Sequence, residues 1–206
     1  DALQQVDISQ VLAFAHQHCR FMEAFEHVVG RNVKQLAEDR ALLACLIAWG
    51  TNMGLGKMGE ISDLSYHTLS TTSESFLRLE TLREANDRIS NATAQLPIFH
   101  HYDIGERVHS SSDGQKFETR LPTINARHSP KYFGLHKGVV AYTIVANHIP
   151  INARIIGANE HESHYVFDLL FNNTTEIQPE VHSTDTHGTN AVNFALLHLF
   201  GYQFAP

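Results

Sequence analysis

The spacing of apolar residues changes once along this 206-residue chain, near Glu106, and that change separates two kinds of architecture. Before it, apolar positions recur every three or four residues. Ile8, Val11, Leu12, Ala15, Cys19, Met22 and Phe25 follow the capping-box pattern Asp7-x-x-Gln10. From Val33 to Trp49 the apolar residues lie almost all round, which predicts a central, buried helix. Leu82, Ala85, Ile89, Ala92 and Leu96 predict one helix across Ser73 to Leu96, ended by Pro97. After Glu106 short β-rich runs take over: Arg107 to Phe117, Val139 to Asn147, Ile151 to Ile156, Val181 to Thr184 and Tyr202 to Ala205. Two helices interrupt them, one opened by Asn159-x-x-Glu162 and running through Val166, Leu169 and Leu170, the other through Val192, Ala195, Leu196 and Leu199. The expectation is an α+β chain, with a helical region over 1–105 and a mixed sheet flanked by helices over 106–206.

Composition narrows the class. An apolar share of 43% is too high for a disordered chain. No apolar run nears the ~20 residues that span a bilayer; the longest, Ala41 to Trp49, is of buried-helix length. Asp1 to Gln10 has neither the basic start nor the apolar stretch of a signal peptide. Cys19 and Cys45 sit in apolar helical patterns and read as reduced core residues. The expected setting is the cytoplasm, with no membrane partner, and the sequons at Asn91 and Asn172 are silent there.

The net charge of −7 conceals a segregation. Between Arg107 and Arg154 stand seven basic residues against two acids, whereas after Arg154 there are six acids and no Lys or Arg. A cationic middle beside an anionic end suits a polyanion-binding surface next to a cation-binding pocket; a solvated surface with chance clustering is the alternative.

Two motifs fail on context. Gly54-Leu-Gly56-Lys-Met-Gly59 matches G-x-G-x-x-G, but a helical pattern precedes it where a dinucleotide fold needs a strand, so it reads as a helix break. His161-Glu-Ser-His164 places its second histidine one residue too early for a zinc-protease helix. The 15 histidines have no collective role.

One phrase occurs twice. Val108-His-Ser-Ser-Ser-Asp113 is echoed by Val181-His-Ser-Thr-Asp185, each a β run passing through small hydroxyl residues to one Asp. If the strands are parallel neighbours, both carboxylates reach one rim, where their repulsion is relieved by a cation between them. Hard oxygen donors suit Mg²⁺ or Mn²⁺. Such a rim is the seat of two-metal phosphoryl transfer. The plainer alternative is that Asp113 opens a turn and Asp185 caps a helix. The candidate phosphate ligands are Lys116, Arg120, Arg127, Lys131 and Lys137.

Ser112-Asp113-Gly114-Gln115, the stretch from Ala153 to His164 and Ser183-Thr-Asp-Thr-His-Gly-Thr-Asn190 resemble the Tn3 family of replicative transposases. So do Ala48 to Gly56 and Leu77 to Asn86, so the likeness covers essentially the whole chain. The resemblance implies a DDE-type catalytic core on an RNase H-like fold, truncated here, with the helical half as a preceding scaffold. Asp113 and Asp185 match the first and second catalytic acids, binding Mg²⁺ or Mn²⁺ in a two-metal site. The family's third acid, a Glu on a later helix, has no counterpart before Pro206, and Glu118, Glu176 and Glu180 lie in the wrong elements. The missing initiator Met and an ending inside a predicted strand agree with a piece of a longer enzyme.

The resemblance therefore implies DNA cleavage at transposon ends, strand transfer to target DNA, and a homo-oligomer in the full-length bacterial protein. Two other readings stand beside it: a DNA-binding or scaffold module without turnover, since the segment lacks the third carboxylate, and an RNase H-like nuclease that only hydrolyses.

Overall fold

The computed structural model describes residues 5–32, 35–121 and 123–206. It forms two compact units, Asp1–Ala92 and Thr93–Pro206.

The first unit is helical. Its α1 (Ile8–Cys19) opens where the Asp7 N–H donates to Gln10 Oε1 at 3.2 Å and ends at Arg20, whose φ is +53°. The expected continuation to Phe25 is a tight 3₁₀ turn, Phe21–Ala24, which buries Phe21, Met22 and Ala24. α2 (Asp39–Gly50) buries Ala41, Leu42, Ala44, Cys45 and Ala48. It is shorter than expected: Val33 lies outside the described residues, and Trp49 is exposed, donating its Nε1–H to Ser73 Oγ at 2.9 Å. The glycines read as a helix break are themselves helical, in α3 (Gly54–Ile61); the break falls just before them, where Asn52 and Gly54 take positive φ. Such values suit Gly and Asn and let the chain reverse without steric cost.

The helix expected from Ser73 to Leu96 is two, α4 (Tyr66–Phe76) and α5 (Leu79–Ala94). Thr81 explains the division. Its hydroxyl donates to the Phe76 carbonyl at 2.9 Å and accepts from the Arg78 N–H at 3.1 Å, serving both helix ends where backbone groups lack partners.

The second unit is built on a six-stranded sheet. Its strands are β1 (His109–Glu118), β2 (Arg127–His128), β3 (Lys137–Ala146), β4 (Ile149–Gly157), β5 (Val181–Thr184) and β6 (Gln203–Phe204). Three short helices accompany them: α6 (Pro130–Phe133), α7 (Val166–Phe171) and α8 (Ala191–Leu199). β1 is central, antiparallel to β3 on one side and parallel to β5 on the other. β3 carries β4 and the two-residue β2 on its far side, and β6 extends the sheet beyond β5 in parallel. The strand order and senses are those of an RNase H-like mixed sheet, so the chain is α+β as its period change implies.

The alternating rows of β3 bury Val140, Tyr142, Ile144 and Ala146 against Val166, Leu169 and Leu170 of α7 and Leu197 of α8. That row defines the core face. The strands were legible to within two residues, apart from β2, which like α6 falls in a stretch to which the sequence assigned no element. The helix expected to open at Asn159 begins later: a 3₁₀ turn (Glu162–His164) precedes α7 (Val166–Phe171), and ahead of it Glu160 Oε1 accepts the Gly157 N–H at 3.0 Å.

Candidate active site

The site begins with strand phase. Along β1, Ser110 and Ser112 point into the core while Ser111, Asp113 and Gln115 are exposed on the opposite face. β5 repeats the pattern with His182 buried and Ser183 outside it, and a 2.8 Å hydrogen bond between His109 Nε2 and Ser183 Oγ ties the outer rows together. The parallel ladder pairs Ser110 with His182, Ser111 with Ser183 and Ser112 with Thr184. The next residue on each strand is an aspartate, Asp113 and Asp185. Paired strands lie about 4.8 Å apart, so both carboxylates arise at the same end of the β1–β5 ladder, although β1 itself runs on to Glu118.

Their environments differ. Asp113 continues β1 and faces Thr143 on β3. Its Oδ1 accepts the Gly114 N–H at 2.7 Å, and among the described residues nothing hydrogen-bonds Oδ2. Asp185 closes β5 into a turn. Its Oδ1 accepts from the His187 and Gly188 N–H groups at 3.0 and 3.2 Å, and His187 Nδ1 lies 2.9 Å from Oδ2. Partial burial raises the Asp185 pKa, but the His187 side chain, the two backbone donors and the His187 charge outweigh it, leaving the carboxyl below the usual carboxylate range.

A buried polar chain backs the pair on the core face. Tyr142 hydroxyl and Ser112 Oγ are 2.7 Å apart, Ser112 Oγ and His182 Nε2 3.0 Å, and His182 Nδ1 and Ser110 Oγ 2.8 Å. Ser110 donates its one hydroxyl proton to the Val181 carbonyl at 3.2 Å. With the Ser110 proton on that carbonyl, the consistent assignment is that His182 donates from Nδ1, accepts at Nε2 from Ser112, and Ser112 accepts from Tyr142. Burial and then the His109 charge hold His182 down at about 4. Tyr142 is pushed up to about 12, by burial first and then by the charges of Glu162, Asp185 and Asp113, against the Ser112 hydrogen bond. The Tyr142 hydroxyl thus lies within the field of both aspartates.

Glu162 is the carboxylate that sequence reasoning overlooked. Its side chain is 10% exposed and pairs with Lys116 Nζ at 3.2 Å. It lies against β1 so closely that a Cβ on Gly114 would come within 2.3 Å of its Oε1. Gly114 and Lys116 are in phase with the core-facing serines, so Glu162 stands behind the sheet from Asp113. No spacing signal announces it, because its partner is 46 residues away.

Four of the five basic candidates fall into two pairs, Lys116 with Lys131 and Arg127 with Lys137. Lys116 is engaged with Glu162 and lies 4.7 Å over the Tyr132 ring, with Lys131 at 5.1 Å over the same ring. Arg127 Nη1 donates to the Ile124 and Ala126 carbonyls. β2 sets Arg127 and His128 beside Gly138 and Lys137. Arg120 and Lys137 are exposed. The site is an open surface: a cavity of about 620 Å³, lined by His161, His164, Asn193 and neighbours, includes neither aspartate. Among the described residues no group of three or more His, Cys, Asp or Glu side chains is arranged to hold a metal ion, and no helix is long and apolar enough to cross a membrane.

Two adjacent carboxylates, one with a free oxygen and one held ionised by its turn, are hard donors of the kind a divalent cation takes. Residues 10–206 match the family model described as the Tn3 transposase DDE domain. The chain is 30% identical to the transposase for transposon gamma-delta of Escherichia coli strain K12, across 99% of this chain and 20% of that protein. It is 29% identical to the transposase for transposon Tn4556 of Streptomyces fradiae, with 99% and 23% covered, and 32% identical to that for transposon Tn21 of Escherichia coli, with 99% and 20% covered. The chain spans about a fifth of the length of these relatives.

Proposed function

The chain belongs to the Tn3 transposase family, and on that premise we propose that it contributes two of the three catalytic acids of a DDE-type transposase, Asp113 and Asp185. The parent enzyme cleaves DNA strands at transposon ends and transfers them to target DNA. The observation that carries this reading is the shared end of the β1–β5 ladder, one step beyond Ser112 and Thr184.

Asp113 and Asp185 would hold Mg²⁺ or Mn²⁺, and the two-metal site of the complete enzyme supplies an activated nucleophile and stabilises the leaving oxygen. The chain's own residues prepare for that. The Asp185 turn keeps its carboxylate ionised, and the exposure of Asp113 leaves room for a polymer substrate. Arg120, Arg127, Lys131 and Lys137 contact phosphates, while Lys116 balances Glu162. The third acid, a Glu, is contributed by sequence outside these residues, so the chain alone turns over little or no DNA. The boundary near 105, the homo-oligomer and the cytoplasmic setting belong to the same proposal.

The test is made in the intact transposase. Asp113→Ala or Asp185→Ala is expected to abolish cleavage and strand transfer while binding of transposon ends survives. Normal strand transfer by either variant overturns the assignment.

A further inference from the structure

We infer that His182 is a positioning residue: with Ser110, Ser112 and Tyr142 it clamps β5 to β1 in the one register that brings Asp113 and Asp185 abreast. The clamp is read from geometry alone; its consequence for metal binding rests on the proposal above.

The need for such a device follows from how little else fixes the pairing. β5 is four residues long and meets β1 over four rungs. A slip of one residue would turn its side chains to the wrong face and is excluded by burial. A slip of two keeps every side chain on its proper face, and the rungs it brings together on β1 are small: Ser110, Ser112, Gly114. Apolar packing is non-directional and separates such registers weakly. The slip would nevertheless carry Asp185 two rungs away from Asp113, about 7 Å along the strand.

Directional bonds do separate the registers. The His182 ring reaches two successive core-facing positions of β1 at once, Ser110 through Nδ1 and Ser112 through Nε2. Ser112 is in turn bonded to Tyr142 on β3, so the chain of hydroxyls and imidazole links three adjacent strands. His182 is fully buried, and its ring stacks on Phe204 of β6 at 6.3 Å. In a shifted register at least one ring nitrogen would be buried without a partner, a costly state. Each serine of the clamp lies one or three positions before Asp113, and His182 lies three before Asp185.

The test compares His182→Phe, which keeps an aromatic ring in the stack but removes both nitrogens, with His182→Gln, whose amide can bond both hydroxyls. Both are made in the 206-residue chain. Register is read from cross-strand amide NOEs between Ser110–Ser112 and Val181–Ser183, and Mn²⁺ affinity from electron paramagnetic resonance. The expected result for His182→Phe is a folded chain with weakened or doubled cross-strand signals and at least a tenfold loss of Mn²⁺ affinity. His182→Gln should keep the wild-type signals and an affinity within threefold. Should His182→Phe not fold, the pair Ser110→Ala and Ser112→Ala supplies the same comparison. Wild-type NOEs in the variants lacking the hydrogen bonds overturn the clamp. Absence of Mn²⁺ binding by the wild-type chain overturns the metal reading instead, while the NOEs still decide the clamp.

Discussion

Asp113 and Asp185, seventy-two positions apart in sequence, stand one step beyond the same rung of a parallel ladder, that of Ser112 and Thr184. Two carboxylates rising from adjacent strands repel each other in the absence of a cation. Asp113→Asn or Asp185→Asn in the 206-residue chain should therefore leave the fold intact, shifting stability by less than about 1 kcal/mol. The same variants should lower Mn²⁺ affinity at least tenfold in a calorimetric titration. Unchanged binding in both would show that the ion, if held at all, is held elsewhere.

Gly114→Ala should destabilise the second unit by roughly 1–3 kcal/mol, the usual cost of overpacking. The added methyl would meet Glu162 Oε1 at 2.3 Å and Val140 Cγ1 at 2.7 Å, and Glu162 is held by Lys116 and so has little freedom to withdraw. Urea unfolding measures the loss. A neutral substitution would mean that the Glu162–Lys116 pair is looser than its geometry.

Lys116→Met isolates a carboxylate that is 10% exposed. Breaking a fully buried pair costs 3–5 kcal/mol; with the Lys116 side chain 26% exposed, roughly 2 kcal/mol is expected here. Adding Glu162→Gln should restore most of it, because the orphaned charge is then gone. Failure of the second substitution to rescue the first would separate the two residues energetically.

Acid should weaken the fold through His182. The folded-state value of about 4 lies below the unfolded 6.5, so the unfolded chain binds the proton first. Stability is full above about pH 6.5 and falls as pH drops toward 4, by up to roughly 3 kcal/mol. The groups on the ring are Ser110 and Ser112 of β1 and Phe204 of β6, with Tyr142 of β3 reached through Ser112 and the His109 charge acting from the other face of the sheet, none of them an acid that would hold the proton. Asp185, with its lowered pKa, adds a loss at still lower pH, as it protonates. Thermal melts at pH 7 and 4.5 should differ more for the wild type than for His182→Phe. Equal differences would remove His182 as the cause.

DNA binding should depend steeply on salt, each neutralised phosphate contributing about 0.9 to the slope of log K against log salt. Lys131→Glu should flatten that slope, whereas Lys116→Gln should change it little because its ammonium already faces Glu162. An unchanged slope for Lys131→Glu would take that residue out of the interface.

Much of this was legible in the chain itself. The run Val181 to Thr184 reads as a strand because it repeats the β-run phrase that leads to Asp113, with β-branched residues at both its ends, and it is one. The glycines of Gly54 to Gly59 read as a break, yet they form α3, since an isolated glycine costs only about 1 kcal/mol in a helix that packs Leu55 and Met58 into its core. Thr81 divides a helix that periodicity alone would leave whole, because its hydroxyl makes bonds that apolar spacing does not register. Lys116 was read as a phosphate ligand, and in the structure its ammonium faces Glu162, an acid 46 residues away that no count along the sequence connects with it.

By itself the sequence determined the change from helical to strand periodicity near Glu106, the place of five of the six strands and the paired phrases in which a run of hydroxyl residues leads to an aspartate. These depend on local alternation and turn chemistry, which act over a few residues. Only the tertiary structure decided that the two strands are parallel neighbours, that their register aligns Asp113 with Asp185, and that Glu162 captures Lys116 behind them. Partner and register are chosen by burial and directional hydrogen bonds between segments tens of residues apart, and no local pattern encodes which distant hydroxyl an imidazole will find.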